Sequence, residues 1–180
     1  MINLIVSGIE RSGTSMMMQV LLSGKVPVAF DESRPPDQHN PRGYFELEGG
    51  KIINRLIDGD FPLERYSGKF IKITAYGLKF LPSGNYKVIY MNRDLDKVIA
   101  SMEHKAGTTG WEKDKPLFQK LDSFSRQLLV NREDMEFLVV NYFDVMNNTR
   151  AELLRINVFL ENILDVEAAM EAVDHNVTEI

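Results

Sequence analysis

The sequence predicts an α/β domain with a mostly parallel central sheet of four or five strands flanked by helices. Short β-branched runs alternate along the chain with longer segments of helical period, which is the pattern of such domains. The strand-like runs are nearly continuously apolar, as expected for strands that helices cover on both faces. With 180 residues, of which 44% are hydrophobic, the chain can close one core. We therefore expect a single domain over residues 1–180.

Four segments have the composition of buried strands, namely 2–7, 70–74, 87–91 and 137–141. Segment 26–30 is a weaker fifth candidate, because Pro27 has no N–H group to donate to a neighbouring strand.

Three helices follow from the spacing of apolar residues. Segment 14–23 is apolar almost all round, which predicts a buried helix that ends at Gly24 as a glycine C-cap. A second helix carries a stripe at spacings of three and four, formed by Leu95, Val98, Ile99, Met102 and Ala106. A third carries the stripe Leu153, Ile156, Phe159, Leu160 and Ile163. Thr149 and Glu152 precede that stripe in a capping-box pattern, which predicts the start of the third helix.

Composition excludes several classes of function. The net charge is −5 and the basic residues are scattered, which argues against a nucleic-acid surface. There is no cysteine, and His39, His104 and His175 are too far apart for a zinc-like cluster, so we expect no metal site. No apolar run is long enough for a membrane span. The first residues lack a basic segment typical of a signal peptide, so we expect a cytoplasmic protein.

The most informative segment is 8–15, Gly-Ile-Glu-Arg-Ser-Gly-Thr-Ser, between the first predicted strand and the first predicted helix. A glycine turn at a helix N-terminus directs backbone N–H groups and partial positive charge at an anion. Ser12, Thr14 and Ser15 add hydroxyl groups, and Arg11 adds a cation. The glycines have P-loop spacing, but Thr14 stands where nucleotide kinases have lysine. We expect a phosphate loop and a three-layer fold of P-loop type.

A second anion subsite is predicted at the end of the third strand. P-loop phosphoryl-transfer enzymes commonly have a Mg²⁺-binding carboxylate after such a strand, but here the strand runs into Asn92 and Arg93. Arg93 is expected at the carboxyl end of a parallel strand, where ligands of open α/β sheets bind. Ser101 follows in the next helix. Taken alone, each has an ordinary structural interpretation, but together with the loop they suggest a second phosphate site.

These residues resemble the sulfotransferases that use 3′-phosphoadenosine 5′-phosphosulfate (PAPS). Segment 11–15 is similar to their 5′-phosphosulfate loop, and segment 93–101 to their 3′-phosphate element. Segment 40–46 is similar to compact bacterial members, and 140–145 to a later strand of the family. The resemblance implies in-line transfer of a sulfuryl group from PAPS to an acceptor hydroxyl or amine, releasing adenosine 3′,5′-bisphosphate. It also implies that Arg11, Ser12, Gly13, Thr14, Ser15, Arg93 and Ser101 bind the cofactor, without a required metal.

The resemblance also implies catalytic roles. Arg11 would be the principal cation that stabilises charge in the transition state. Lys72 resembles a family lysine on the second main strand, and is equally consistent with a lysine that extends to solvent. Cytosolic members have a histidine where this chain has Thr74, so the general base is open between Glu32, Glu46 and His39. Glu32 is narrowly favoured.

Two other functions remain open. An ATP-dependent small-molecule kinase would need a carboxylate for Mg²⁺, with Asp94 and Asp144 the nearest candidates. A noncatalytic module would use the loop only to hold an anion. The sequence does not identify the acceptor, which can be a carbohydrate or another small molecule, nor the oligomeric state.

Segment 106–116, which contains Trp111, shows no strong helical or strand period of apolar residues. It is therefore expected to be either a lid or a loop anchored on the core.

Overall fold

A computed structural model of the chain describes residues 2–173, so Met1 and 174–180, which include His175, lie outside the described residues. Four parallel strands form one sheet in the order β2-β1-β3-β4. They are β1 (Asn3–Gly8), β2 (Phe70–Lys72), β3 (Tyr86–Asn92) and β4 (Met135–Asn141). Helices cover both faces, so the predicted three-layer α/β fold is confirmed. The expectation of one domain over the whole chain stays a prediction.

Seven α-helices connect or follow the strands in the described part of the chain: α1 (Thr14–Ser23), α2 (Ile52–Asp58), α3 (Leu95–Ala106), α4 (Lys115–Asn131), α5 (Tyr142–Asn147), α6 (Thr149–Phe159) and α7 (Val166–Met170). Short 3-10 helices lie at Glu48–Gly50, Leu63–Tyr66, Ala75–Phe80 and Trp111–Asp114. Within residues 2–173, no helix combines the length and the apolar composition that a membrane span requires.

Alternation along the strands divides the core into two layers. On β1, Ile5 packs with α2, α3 and α4, whereas Val6 packs on the other face with α1, α5, α6 and α7. Val88 and Ile89 on β3 divide in the same way. All four side chains are fully buried or nearly so, which explains the nearly continuous apolar runs in the strand sequences.

The weak fifth strand is not formed. Segment 26–30 meets the sheet only through a bridge between Val28 and Phe70. The Pro27 carbonyl accepts a hydrogen bond from the N–H of Phe70, but Pro27 has no N–H with which to extend a ladder. The second strand also ends at Lys72, two residues earlier than predicted, because Thr74 leads into a 3-10 helix.

Helix α1 has the predicted bounds and Gly24 is its C-cap residue, as predicted, but Gly24 does not adopt the left-handed conformation. The left-handed residue after the helix is Lys25, with φ 63°, whereas Gly24 has φ −76°. A Cβ atom at Gly24 would lie 3.1 Å from the Cβ of Ala169 and 2.3 Å from Leu164 Cδ1. Glycine is therefore needed for the close approach of α7 and not for the backbone turn.

The predicted capping box before α6 is wrong. Thr149 is the first helical residue and is buried, and its hydroxyl donates to the carbonyl of Val145 at 2.7 Å. The Glu152 carboxylate instead accepts from Arg155 at 2.7 Å, three residues along the helix. The predicted start of the helix is correct, but the Thr149 side chain bonds to a carbonyl group of the preceding helix α5 instead of capping α6. Helix α6 also ends before Ile163, which is exposed.

Helix α4 was not predicted. It begins at the end of segment 106–116, and Pro116 stands in its first turn, where a missing N–H is tolerated. Trp111 precedes it, half-buried against the core layer of α3 and α4. Of the two expectations for Trp111, the structure therefore favours the anchor over the lid.

Candidate functional site

The carboxyl ends of β1, β2 and β3 open into a cavity of about 490 Å³. The loop after β1, Lys72 at the end of β2, and Arg93 after β3 all line it. Helix α3 contributes Ser101, and the opposite side is formed by segment 34–46. Ligands of open parallel sheets bind at this edge, so the cavity lies where the sequence placed its anion site.

The loop after β1 has a compact left-handed turn. Arg11 has φ 64° and Gly13 has φ 101°. A Cβ atom at Gly13 would lie 2.6 Å from the ring of Tyr142, the first residue of α5, so a larger side chain has no room there. The turn delivers the chain directly into α1, whose first-turn N–H groups have no acceptor within the helix.

The three hydroxyl groups of the loop are not equivalent. Ser12 was expected to donate to an anion, but it is buried, does not line the cavity and donates to the carbonyl of Ile9 at 2.7 Å. Thr14 and Ser15 do line the cavity. The hydroxyl of Ser15 donates to the Tyr44 carbonyl at 3.3 Å. Of the three hydroxyl groups, those of Thr14 and Ser15 therefore lie at the cavity, beside the backbone N–H groups of the helix N-terminus.

The two predicted anion subsites are in direct contact. Arg11 Nε donates to Ser101 Oγ at 2.9 Å, and Arg93 Nη1 donates to the Arg11 carbonyl at 3.1 Å. The Arg93 guanidinium also lies 4.4 Å from the centre of the Tyr142 ring. One ligand with two anionic groups is therefore able to touch both subsites.

Lys72 is a buried cation with three acceptors. Its Nζ atom donates to Glu46 Oε1 at 2.9 Å, to Ser15 Oγ at 3.1 Å and to the Tyr44 carbonyl at 3.1 Å. Only 9% of its side chain is exposed, so it does not extend to solvent. Lys72 thus joins β2, the loop and segment 34–46.

The electrostatics of Lys72 and Glu46 follow from burial and pairing. Burial lowers the pKa of Lys72, and the carboxylate of Glu46 opposes this effect only in part. Burial alone would raise the pKa of Glu46, but Lys72 and Arg34 hold it below its ordinary value. Arg34 Nη1 lies 2.7 Å from Glu46 Oε2. A carboxylate held ionised by two cations is a weak proton acceptor, which counts against Glu46 as a general base.

The remaining base candidates lie in different places. Glu32 is exposed and does not line the cavity, so the structure does not bring it together with the other site residues. His39 lines the cavity, with its ring centre 5.8 Å from that of His104. Thr74 also lines it. The geometry favours His39 over the two carboxylates.

The two carboxylates considered for Mg²⁺ do not line the cavity. Asp94 accepts hydrogen bonds from the N–H groups of Asp96 and Lys97 and so caps α3. Asp144 belongs to the first turn of α5. Among the described residues, no group of three or more His, Asp or Glu side chains is arranged to hold a metal ion.

Sequence reasoning missed three cations and one histidine of the cavity: Arg34, Arg42, Lys105 and His104. Lys105 lies four residues after Ser101 on α3 and hence on the same helix face, so this spacing could have identified it. Arg34 and Arg42 lie in a segment whose apolar residues have no regular spacing, so no such signal identified them. These three cations line the cavity together with Arg11, Lys72 and Arg93. The carboxylates in the lining are those of Glu10 and Glu46.

We expect Gly13→Ala to destabilise the fold by about 2 kcal/mol more than Gly68→Ala. Both positions have positive φ, but a Cβ atom at Gly68 meets nothing within 4 Å, whereas at Gly13 it meets the Tyr142 ring. Overpacking of this kind typically costs about 1–3 kcal/mol. Urea unfolding of both variants measures the difference, and equal losses would contradict the tight contact with Tyr142.

We expect Glu46→Gln to flatten the dependence of stability on pH in the acidic range. A carboxylate whose native pKa lies below its ordinary value of 4.5 stabilises the fold above that pH. This contribution is lost as the pH falls through the lower native pKa. Unfolding free energies of wild type and variant at several acidic pH values test this. The exposed Glu64→Gln serves as the control and should keep the wild-type profile.

Comparison with known proteins identifies the fold through solved structures alone. No family model and no curated protein match the chain. The sulfotransferase domain of the Synechococcus PCC 7002 olefin synthase is 18% identical, with a TM-score of 0.58 over 100% of this chain and 80% of that one. Retinol dehydratase, in complex with androsterone and inactive cofactor PAP, is 15% identical, with a TM-score of 0.50 over 96% of this chain and 63% of that one. The chain therefore has the fold of sulfotransferase domains.

Proposed function

We propose that this chain is a sulfotransferase that transfers a sulfuryl group from PAPS to a hydroxyl or amine of an acceptor molecule. The observation that carries the proposal is the contact between the two anion subsites. Arg11 from the loop bonds to Ser101, and Arg93 bonds to the backbone of Arg11, at the edge of one cavity. PAPS has anionic groups on both sides of its ribose, and the sulfotransferase fold supports the same assignment.

The residues of the cavity fit such a donor. The N–H groups of the first turn of α1, with Arg11, would hold the 5′-phosphosulfate end. Arg93 and Ser101 would hold the 3′-phosphate, for which a planar guanidinium is well suited. The PAP in the retinol dehydratase structure is consistent with a nucleotide of this kind in the fold.

When bound, PAPS would supply an electrophilic sulfuryl group. The chain's own contribution is electrostatic, because Arg11 and the amides of the loop provide fixed positive charge where negative charge develops. Lys72 has its three hydrogen bonds within the protein, so we assign it to positioning the loop against segment 34–46. Of the three base candidates, His39 lines the cavity and forms no ion pair with a cation among the described residues, so we assign it to accept the acceptor's proton through a ring nitrogen.

The kinase alternative has less support. Its candidate carboxylates, Asp94 and Asp144, do not line the cavity, and that of Asp94 already caps α3. The noncatalytic alternative predicts the same nucleotide binding without turnover, so it differs from the proposal in activity and not in geometry.

We expect adenosine 3′,5′-bisphosphate to bind at least about tenfold more tightly than adenosine 5′-monophosphate, because charge-assisted hydrogen bonds to the 3′-phosphate are strong. Arg93→Ala should remove most of this preference, and Ser101→Ala part of it. Isothermal titration calorimetry, in the presence of EDTA, measures both affinities. The exposed Arg65→Ala is the control for loss of a positive charge.

Equal affinity of the wild type for the two nucleotides would contradict the proposed donor site. Tighter binding of ATP with Mg²⁺ than of the bisphosphate would favour the kinase instead.

A further inference from the structure

The side of the cavity opposite α1 is a polar wall, which we call the acceptor wall: Arg34, His39, Tyr44, His104 and Lys105. It forms where segment 34–46 meets the last turn of α3. The ring centres of His39 and His104 lie 5.8 Å apart. The Tyr44 ring has the Arg34 guanidinium at 3.6 Å and the Lys105 ammonium at 5.0 Å from its centre.

Tyr44 is held from several directions. Its hydroxyl donates to Asp37 at 2.7 Å, and its carbonyl accepts from Lys72 at 3.1 Å. The ring therefore provides a fixed surface against which Arg34 and Lys105 are positioned. A wall of this kind presents the cations of Arg34 and Lys105 and the imidazole rings of His39 and His104 to the cavity.

Lys105 is the cation of the acceptor wall whose charge is least balanced. Among residues 2–173 it forms no ion pair, and its ammonium group lies over the Tyr44 ring. Burial lowers the pKa of Lys105, and so do the nearby charges of Arg34 and Arg11, whereas Asp37 and Glu10 act more weakly in the opposite direction. Arg34 and Arg11 therefore add positive charge near Lys105.

Glu46 does not relieve this excess. Its carboxylate is shared by Lys72 and Arg34, at 2.9 and 2.7 Å, so both of its oxygens are engaged. An uncharged apolar acceptor would remove water from the cations of the acceptor wall, Arg34 and Lys105, without replacing its hydrogen bonds, which is unfavourable. An acceptor with an anionic group would instead pair with them.

We propose that Lys105 forms an anion subsite on the acceptor wall, so that the acceptor carries a carboxylate, phosphate or sulfate beside its reacting hydroxyl or amine. This inference rests on the proposed function. The subsite is distinct from the donor subsites at Arg93 and Ser101, since Lys105 lies one helical turn beyond Ser101 and faces Tyr44. Lys105 selects the acceptor through its charge. Arg34 packs on the Tyr44 ring, and this ring positions Lys105.

The test uses matched acceptor probes in which one member of each pair carries an anionic group and the other is uncharged. Glucose 6-phosphate is compared with glucose, and 4-hydroxyphenylacetate with its methyl ester. Each is titrated into the full chain, both alone and saturated with adenosine 3′,5′-bisphosphate. We expect the anionic member of at least one pair to bind about tenfold more tightly. Lys105→Gln should abolish the difference, and Lys105→Arg should keep it.

Lys97→Gln is the matched control, because Lys97 is an exposed lysine of the same helix outside the cavity. It should keep both the anion preference and the affinity for the bisphosphate. Equal binding within both pairs would overturn the acceptor subsite, and so would a loss of bisphosphate affinity in Lys105→Gln, which would assign Lys105 to the donor. Failure of the proposed function gives a different result, namely a wild type that does not prefer the bisphosphate to adenosine 5′-monophosphate.

Discussion

The candidate site depends on one buried ammonium group. Lys72 lies at the end of β2 with 9% of its side chain exposed, where an unpaired charge would be costly. Its acceptors come from the loop after β1 and from Tyr44 and Glu46. Movement of the loop would remove one of these hydrogen bonds, and movement of segment 34–46 would remove the ion pair with Glu46, so Lys72 ties both segments to the end of β2.

The charge of the whole protein and that of the cavity have opposite signs. The chain carries a net charge of −5, yet Arg11, Arg93 and Lys105 face the same space. Potential at a site depends on nearby groups, since exposed charges farther than about 10 Å are screened at moderate salt. The fold thus gathers basic residues that are scattered in the sequence around one cavity.

Much of the fold and part of the site could be predicted from the sequence. The sheet and α1 follow from local periodicity, and the loop, Arg93 and Ser101 follow from contiguous motifs. Interactions between distant segments could not be predicted: Gly24 is required by the approach of α7, and Thr149 bonds to Val145 instead of forming a capping box. His39 was a candidate from the sequence, but its grouping with Arg34, His104 and Lys105 was missed for the same reason, because these residues meet only after segment 34–46 packs against α3.

The aromatic ring of Tyr142 contacts both of the predicted anion subsites at once. Gly13 approaches one part of it so closely that a methyl group does not fit, and the Arg93 guanidinium lies 4.4 Å from its centre. Any displacement of the ring therefore changes the phosphate loop and the neighbouring arginine together. Substitutions at these three positions should therefore be strongly non-additive, and each position can be altered without strain only if the other two change with it.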